Sequence, residues 1–170
     1  SFRGLVFLSI GVKIFFPFAL PAIILIFGRL RYIQYLANNV NYSNQDWLKK
    51  ALRLAEKAFS QGEVPVGAIV VKDNRIIGQG YNQRERLNDP TAHAEIIAIT
   101  AASSTLDDWR LDGCSIYVTK EPCPMCAGAL TQARMGQVIF AAHAPTRGGR
   151  GSTINLGEHP SAHHKMRILG

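Results

Sequence analysis

Two short motifs in this chain of 170 residues carry side chains that can bind a metal ion and move protons. The first motif places His93 two residues before Glu95, and the second is a Pro-Cys-x-x-Cys run that contains Cys123 and Cys126. A catalytic zinc site takes three protein ligands and keeps a fourth position open for water. His93, Cys123 and Cys126 supply three such ligands, and one zinc ion per chain would lower the pKa of a bound water to roughly 7. Glu95 would remain free to take a proton from that water and pass it on.

These motifs are specific only in combination. A lone Cys-x-x-Cys is more often half of a structural zinc site or a redox pair, and a lone His-x-Glu carries little information. The third cysteine, Cys114, lies in a strand-like run before the motif, where we expect a small buried side chain rather than a fourth ligand. An odd cysteine count also fits a reducing compartment better than a disulfide framework. The two motifs together, with Pro90 and Pro122 before them, are typical of zinc-dependent base deaminases.

The elements that position these motifs alternate between helices and strands. Ser43 or Asn44 is expected to cap a first helix, and Gly62 is expected to end it. The remaining pattern predicts strands over 66–71 and 76–82 joined by a tight turn, a helix over 92–102, a strand over 114–119, a helix over 124–134, a strand over 137–142 and a further strand near 166–169. Helices that alternate with strands predict an α/β fold with helices on the faces of a sheet. Cys123 and Cys126 fall in the first turn of a predicted helix, where the helix dipole favours thiolates.

Residues from about Trp47 to Leu169 resemble the bacterial tRNA-specific adenosine deaminases of the cytidine deaminase superfamily. The matching stretches are 63–68, 80–82, 89–95, 121–129, 151–152 and 155–156. The resemblance implies a cytidine-deaminase-like three-layer α/β/α fold with a mixed sheet of about five strands. It also implies a zinc-dependent hydrolase that converts adenosine to inosine at the wobble position of tRNA, acting as a cytoplasmic homodimer that binds the anticodon loop.

The resemblance also assigns roles to single residues. His93, Cys123 and Cys126 would hold zinc, and Glu95 would be the proton shuttle. The substrate-binding residues that it implies are Asn82, which would hydrogen-bond the target base, with Pro65, Val66, the backbone of Ala94, and Pro122 around the base.

The zinc motifs alone do not choose the substrate, since guanine and cytosine deaminases carry similar Pro-Cys-Pro-Met-Cys runs. Deamination of a free nucleobase or nucleoside therefore stays open as an alternative, as does an inactive zinc-containing RNA-binding module. Two positions also depart from the family pattern: Ala144 stands where an Asp is usual, and Lys120 where an apolar residue is usual.

Residues 1–39 differ in composition from the rest of the chain. They carry four basic and no acidic residues, and Leu5 to Phe27 is an apolar run long enough to cross a bilayer. A membrane anchor, an export signal and mis-annotated upstream sequence are the three readings, and the missing small-residue cleavage site makes export the weakest. We expect a hydrophobic extension over 1–39 that is upstream sequence, and a cytoplasmic deaminase domain over 40–170 that is truncated at its C-terminus. The alternative is anchoring to a membrane through the apolar run.

The net charge of +7 is weak evidence for a nucleic-acid partner, because residues 40–170 contribute only +3. Basic residues do gather in the Gly-rich stretch from Phe140 onward, where Glu158 is the single acidic residue. Such a stretch would attract a phosphate backbone, but a solvated loop explains it about as well.

Overall fold

The computed structural model describes residues 41–149, 155–156, 159–160 and 162–170, all of which belong to the unit Asn41–Gly170. The apolar run at 5–27 lies outside the described residues, so the prediction of an N-terminal extension stays a prediction. Within the described ranges, none of the helices combines the length and the apolar character needed to span a bilayer.

The centre of the described fold is a mixed sheet of five strands. In chain order these are β1 (Gly67–Lys72), β2 (Arg75–Tyr81), β3 (Ser115–Val118), β4 (Gln137–Phe140) and β5 (Arg167–Leu169). Their spatial order is β2-β1-β3-β4-β5, with β1 antiparallel to both of its neighbours and β3, β4 and β5 mutually parallel. The predicted mixed sheet of about five strands is confirmed, including the short strand near the end of the chain.

In the described part of the chain, four helices accompany the sheet: α1 (Asn44–Ser60), α2 (Arg84–Leu87), α3 (Ala94–Leu106) and α4 (Pro124–Gln132). Ser43 is the cap of α1, because its hydroxyl accepts a hydrogen bond from the Asp46 amide while the Asp46 carboxylate accepts one from the Ser43 amide. The short helix α2 was not predicted from the sequence.

The strand side chains alternate between two cores, which makes the fold three-layered. Ile69, Val71, Tyr117 and Ile139 pack with Trp47 of α1 on one face. The other face packs against α3 and α4, and its core contains Ala68, Val70, Ile116, Val118, Val138, Ala98 and Leu130. The predicted α/β/α arrangement is therefore confirmed.

Strand β2 and helix α3 approach each other closely because glycines of the strand face the helix. A Cβ atom built on Gly78 would collide with the backbone of Ala98 and Ala102, and one on Gly80 would collide with the backbone of Ala94 and Ala98. This contact sets the height of α3 over the sheet, and with it the position of the first turn of α3, which begins at the His-x-Glu motif.

Replacing Gly78 by alanine is expected to lower the free energy of unfolding by about 1–3 kcal/mol, because the new methyl group meets backbone atoms that cannot move aside. Urea unfolding followed by circular dichroism measures this change. Gly128→Ala is the matched control, because no atom lies within 4 Å of a Cβ built at that helical position. Equal urea midpoints for Gly78→Ala and the unchanged protein would contradict the proposed close packing.

Candidate active site

Two helices begin at the site, and each begins at a predicted metal ligand. His93 is the residue that precedes α3 and Cys123 is the residue that precedes α4; both have extended backbone, and neither side chain caps its helix. Pro124 occupies the first position of α4, which suits a residue without an amide hydrogen. Cys126 follows in the first turn. Both ligand-bearing segments therefore present side chains at positively polarised helix ends, which stabilise thiolates.

A hydrogen-bonded turn fixes His93 from the preceding side. The Asp89 carboxylate accepts hydrogen bonds from the Thr91 amide (2.8 Å) and the Thr91 hydroxyl (2.6 Å). The Ala92 amide donates to the Asp89 carbonyl, and the Ala92 carbonyl accepts from the Gln83 amide just beyond β2. The segment that leads into α3 is therefore tied to the end of the sheet.

The three predicted metal ligands meet at one point. The Nδ1 atom of His93 lies 3.5 Å from the sulfur of Cys126 and 3.7 Å from that of Cys123. The three ligand atoms lie within 4.8 Å of one another. A tetrahedral zinc ion with Zn–S near 2.3 Å and Zn–N near 2.0–2.1 Å would separate nitrogen from sulfur by about 3.6 Å. The residues present therefore fit a zinc ion, and no other such group of His, Cys, Asp or Glu ligands occurs in the described part of the chain.

The pKa values of the two cysteines shift in opposite directions. A hydrogen bond from Cys126, helped by backbone amides at the start of α4 and by His93, lowers the pKa of Cys123 to about 5. The same hydrogen bond, together with burial and the nearby Glu95, raises the pKa of Cys126. A divalent cation bound by both sulfurs would stabilise both thiolates.

Glu95 is buried beside His93, Cys123 and Cys126, which we call the ligand group. Burial raises the pKa of Glu95 to about 7, and the negative charge of Cys123 acts in the same direction. A hydrogen bond from Cys126 and the positive charge of Lys120 oppose the shift. A carboxyl group with a pKa near 7 exists in both protonation states at neutral pH, which is what a group that accepts and then donates a proton requires.

A cavity of about 180 Å³ opens onto the ligand group. Five of the residues predicted from sequence line it: Val66, Asn82, His93, Glu95 and Cys123. The other four lie close by in the chain without lining this cavity. Cys126, Ala94 and Pro122 are buried, and exposed Pro65 lines an adjacent depression with Phe59 and Thr119.

Glu63 is a buried residue of the site to which the sequence pattern gave no role. Its carboxylate accepts hydrogen bonds from the Asn82 side-chain amide (3.0 Å) and from the backbone amides of Glu85 (3.3 Å) and Arg86 (2.9 Å). Glu63 therefore fixes the orientation of Asn82 and holds α2 against the cavity wall. One sequence feature could have indicated this role: Glu63 is an acidic residue at the start of the 63–68 run. A buried carboxylate needs hydrogen-bond partners, so its presence there suggests a structural contact.

Glu121 plays a corresponding part for the loop after β4. The buried carboxylate accepts a hydrogen bond from the Ala144 amide (3.0 Å) and lies 3.6 Å from Nδ1 of His143. The Glu121 amide donates to the Ala142 carbonyl at 2.8 Å. The loop after β4 is thereby held at the cavity, and the side chain of Ala144 lines that cavity.

Comparisons with known proteins agree with this geometry. A family model described as MafB19-like deaminase matches residues 42–160. The tRNA-specific adenosine deaminase of Aquifex aeolicus is 48% identical over 121 residues, which cover 71% of this chain and 80% of that protein. The fold and the site define a deaminase. The chain belongs to the MafB19-like deaminase family. The coverage and identity of its relatives also place it in the family of tRNA-specific adenosine deaminases.

Solved structures give the same class. One comes from biochemical and structural studies of A-to-I editing by tRNA:A34 deaminases at the wobble position of transfer RNA; it is 38% identical, with a TM-score of 0.71, and the match covers 74% of this chain and 96% of that one. The guanine deaminase of Bacillus subtilis is 44% identical with a TM-score of 0.59, covering 60% of this chain and 66% of that one.

Replacing Cys126 by serine is expected to reduce bound zinc from one ion per chain to a small fraction, because a hydroxyl does not replace a thiolate ligand. Metal analysis after gel filtration measures the stoichiometry. Cys114→Ala is the matched control: Cys114 is a buried cysteine outside the ligand group and should leave the zinc content unchanged. Equal zinc in Cys126→Ser and the unchanged protein would show that the three residues do not form the metal site.

Replacing Glu63 by glutamine is expected to reduce kcat/KM by about tenfold. The new NH2 group would face an N–H donor, either the Asn82 side-chain amide or the Arg86 backbone amide, and could not accept its hydrogen bond. The expected loss of unfolding free energy is about 1–3 kcal/mol. Steady-state kinetics and urea unfolding measure the two effects. Glu56→Gln, on the exposed side of α1, should change neither quantity. Unchanged kinetics in Glu63→Gln would contradict a role in orienting Asn82.

Proposed function

We propose that this chain hydrolyses adenosine to inosine at the wobble position of a tRNA anticodon, releasing ammonia, with one zinc ion per subunit. The observation that carries the proposal is the buried Glu95 carboxyl beside the His-Cys-Cys group, at the floor of a cavity that Asn82 also lines. The similarity to tRNA-specific adenosine deaminases supports the choice of substrate.

His93, Cys123 and Cys126 would hold the zinc ion. When bound, zinc supplies Lewis acidity that makes a water molecule a competent nucleophile at neutral pH. The chain's own contribution is a pair of helix ends that favour the thiolates and a hydrogen-bonded turn that fixes His93. These features prepare the ligands without rearrangement of the surrounding backbone.

Glu95 would move the protons of the reaction. Its carboxylate accepts a proton from the attacking water and donates it to the adenine ring, then carries the second proton to the departing ammonia. The pKa of about 7 that burial produces serves both directions of transfer. Overall, water and adenosine give inosine and ammonia, and Glu95 returns to its starting state.

Asn82 would orient the base. One hydrogen of its side-chain amide is donated to Glu63, so the second hydrogen and the carbonyl oxygen remain for the substrate. Val66 would form an apolar wall of the pocket, and Pro65, Pro122 and the backbone of Ala94 would complete it. Anticodon-loop bases are single-stranded, so a base can leave the stack and enter the cavity at modest cost.

The remaining parts of the proposal concern assembly and location. We propose that residues 40–170 form the catalytic domain, that the protein is a homodimer, and that it acts in the cytoplasm. These statements rest on the resemblance to the bacterial enzymes.

One assay tests the substrate. Purified protein is incubated with an anticodon stem-loop that carries adenosine at the wobble position and, separately, with guanine, cytosine and cytidine. Inosine and ammonia are expected from the stem-loop alone. Guanine is the second candidate substrate because a guanine deaminase structure is 44% identical, and ammonia from guanine alone would overturn the proposal.

Glu95→Gln tests the proton-transfer role in the same assay. Glutamine keeps the size and polarity of the side chain but cannot accept and return a proton, so turnover is expected to fall by at least about 100-fold. The zinc content should stay at one per chain, since Glu95 is not a ligand. Turnover that survives in Glu95→Gln with zinc bound would show that another group carries the proton.

A further inference from the structure

Among the described residues, three at the mouth of the cavity are basic, Arg84, Lys120 and Arg147, which we call the basic rim. All three are exposed, whereas the two carboxylates that line the same cavity, Glu95 and Glu121, are buried. The positive charge therefore lies at the entrance and the negative charge at the floor. An anionic group outside the cavity would meet cations before it met a carboxylate.

The basic rim comes from three different segments whose backbones are hydrogen-bonded. Arg84 begins α2, and its carbonyl accepts from the Asp89 amide at 3.2 Å. Arg147 lies in the loop after β4, where its amide donates to the Ala144 carbonyl at 3.1 Å. Lys120 lies between two residues, Thr119 and Glu121, whose amides both donate to neighbouring carbonyls. The three charges thus project from fixed positions around one opening.

Within residues 41–149 and the described positions after them, no carboxylate forms a salt bridge with the basic rim. Elsewhere on the described surface, Arg110 pairs with Asp108 at 3.3 Å and Arg134 pairs with Asp112 at 3.2 Å. Glu121, the nearest buried acid to Lys120 in sequence, is engaged by the Ala144 amide and by His143. The rim charges remain available to an external anion.

We propose that Arg84, Lys120 and Arg147 bind the backbone phosphates that flank the target nucleotide. The inference deepens the proposed function and rests on it, because a base that reaches Glu95 leaves its sugar and phosphates at the cavity mouth. Arginine and lysine are the usual partners of nucleic-acid phosphates, and such contacts fix register without reading sequence. The basic rim therefore sets how the strand lies across the opening, while the cavity selects the base.

Binding at several salt concentrations tests the proposal directly. A fluorescein-labelled stem-loop with inosine at the wobble position is the probe, since the product cannot be turned over, and anisotropy gives its affinity. For a single strand, each lost phosphate contact reduces the slope of log K against log salt by about 0.7. Each of R84Q, K120Q and R147Q should show this reduction, and the triple variant a reduction of about 2. Arg53→Gln, at an exposed position of α1, is the matched control and should not change the slope.

A second measurement distinguishes phosphate binding from an effect of Lys120 on Glu95. The same stem-loop is made with neutral methylphosphonates on both sides of the target nucleotide. K120Q should weaken binding of the natural probe but cause no further loss of affinity for the neutral one. Equal losses of affinity on both probes, or a salt slope for K120Q equal to that of the unchanged protein, would overturn the assignment for Lys120.

The outcomes also separate this inference from the proposed function. If the unchanged protein forms no inosine but the rim variants still show the reduced salt slopes, the adenosine deaminase reaction is refuted and the phosphate contacts are supported. Normal inosine formation with salt slopes in the rim variants equal to that of Arg53→Gln refutes the phosphate contacts alone.

Discussion

The close packing of α3 on the glycine positions of β2 is the constraint on which the site depends. A side chain at Gly78 or Gly80 would push the helix away from the sheet, and α3 carries Glu95 in its first turn and follows directly on His93. The ligand geometry tolerates little movement, because nitrogen and sulfur must stay about 3.6 Å apart around a zinc ion. Packing at a distance from the metal ligands therefore decides whether a ligand group forms at all.

The three buried carboxylates near the cavity, Glu63, Glu95 and Glu121, make different contacts and have different roles. Glu63 accepts hydrogen bonds from α2 and from Asn82, and Glu121 accepts one from the loop after β4, so both organise backbone. Glu95 instead interacts with its own amide and with Cys126, and burial dominates its pKa. Glu63 and Glu121 are thus engaged by backbone amides, whereas Glu95 lies beside the predicted metal ligands, which is the position that proton transfer requires.

The chemistry and the choice of substrate lie in different parts of the site. In the proposed mechanism, the ligand group and Glu95 would supply a reaction that a guanine deaminase and a tRNA deaminase can share, and structures of both kinds are similar to this chain. Selection of the proposed RNA nucleotide would then come from the walls and the entrance of the cavity. In this chain the cavity walls contain Val66 and Asn82, which is hydrogen-bonded to Glu63, and the entrance carries the basic rim.

The sequence by itself determined the features that depend on local spacing. It placed the ligands at helix starts, predicted the tight turn in which Asp73 and Asn74 both have positive φ, and gave five strands in the right order along the chain. Only the tertiary structure decided the short helix α2, the roles of Glu63 and Glu121, and the meeting of Arg84 and Arg147 at one opening. These features rest on contacts between segments about 20 or more residues apart, such as Glu63 with Arg86 and Glu121 with Ala144. Local propensity carries no information about such pairs, because the sheet order and the closeness of packing bring them together.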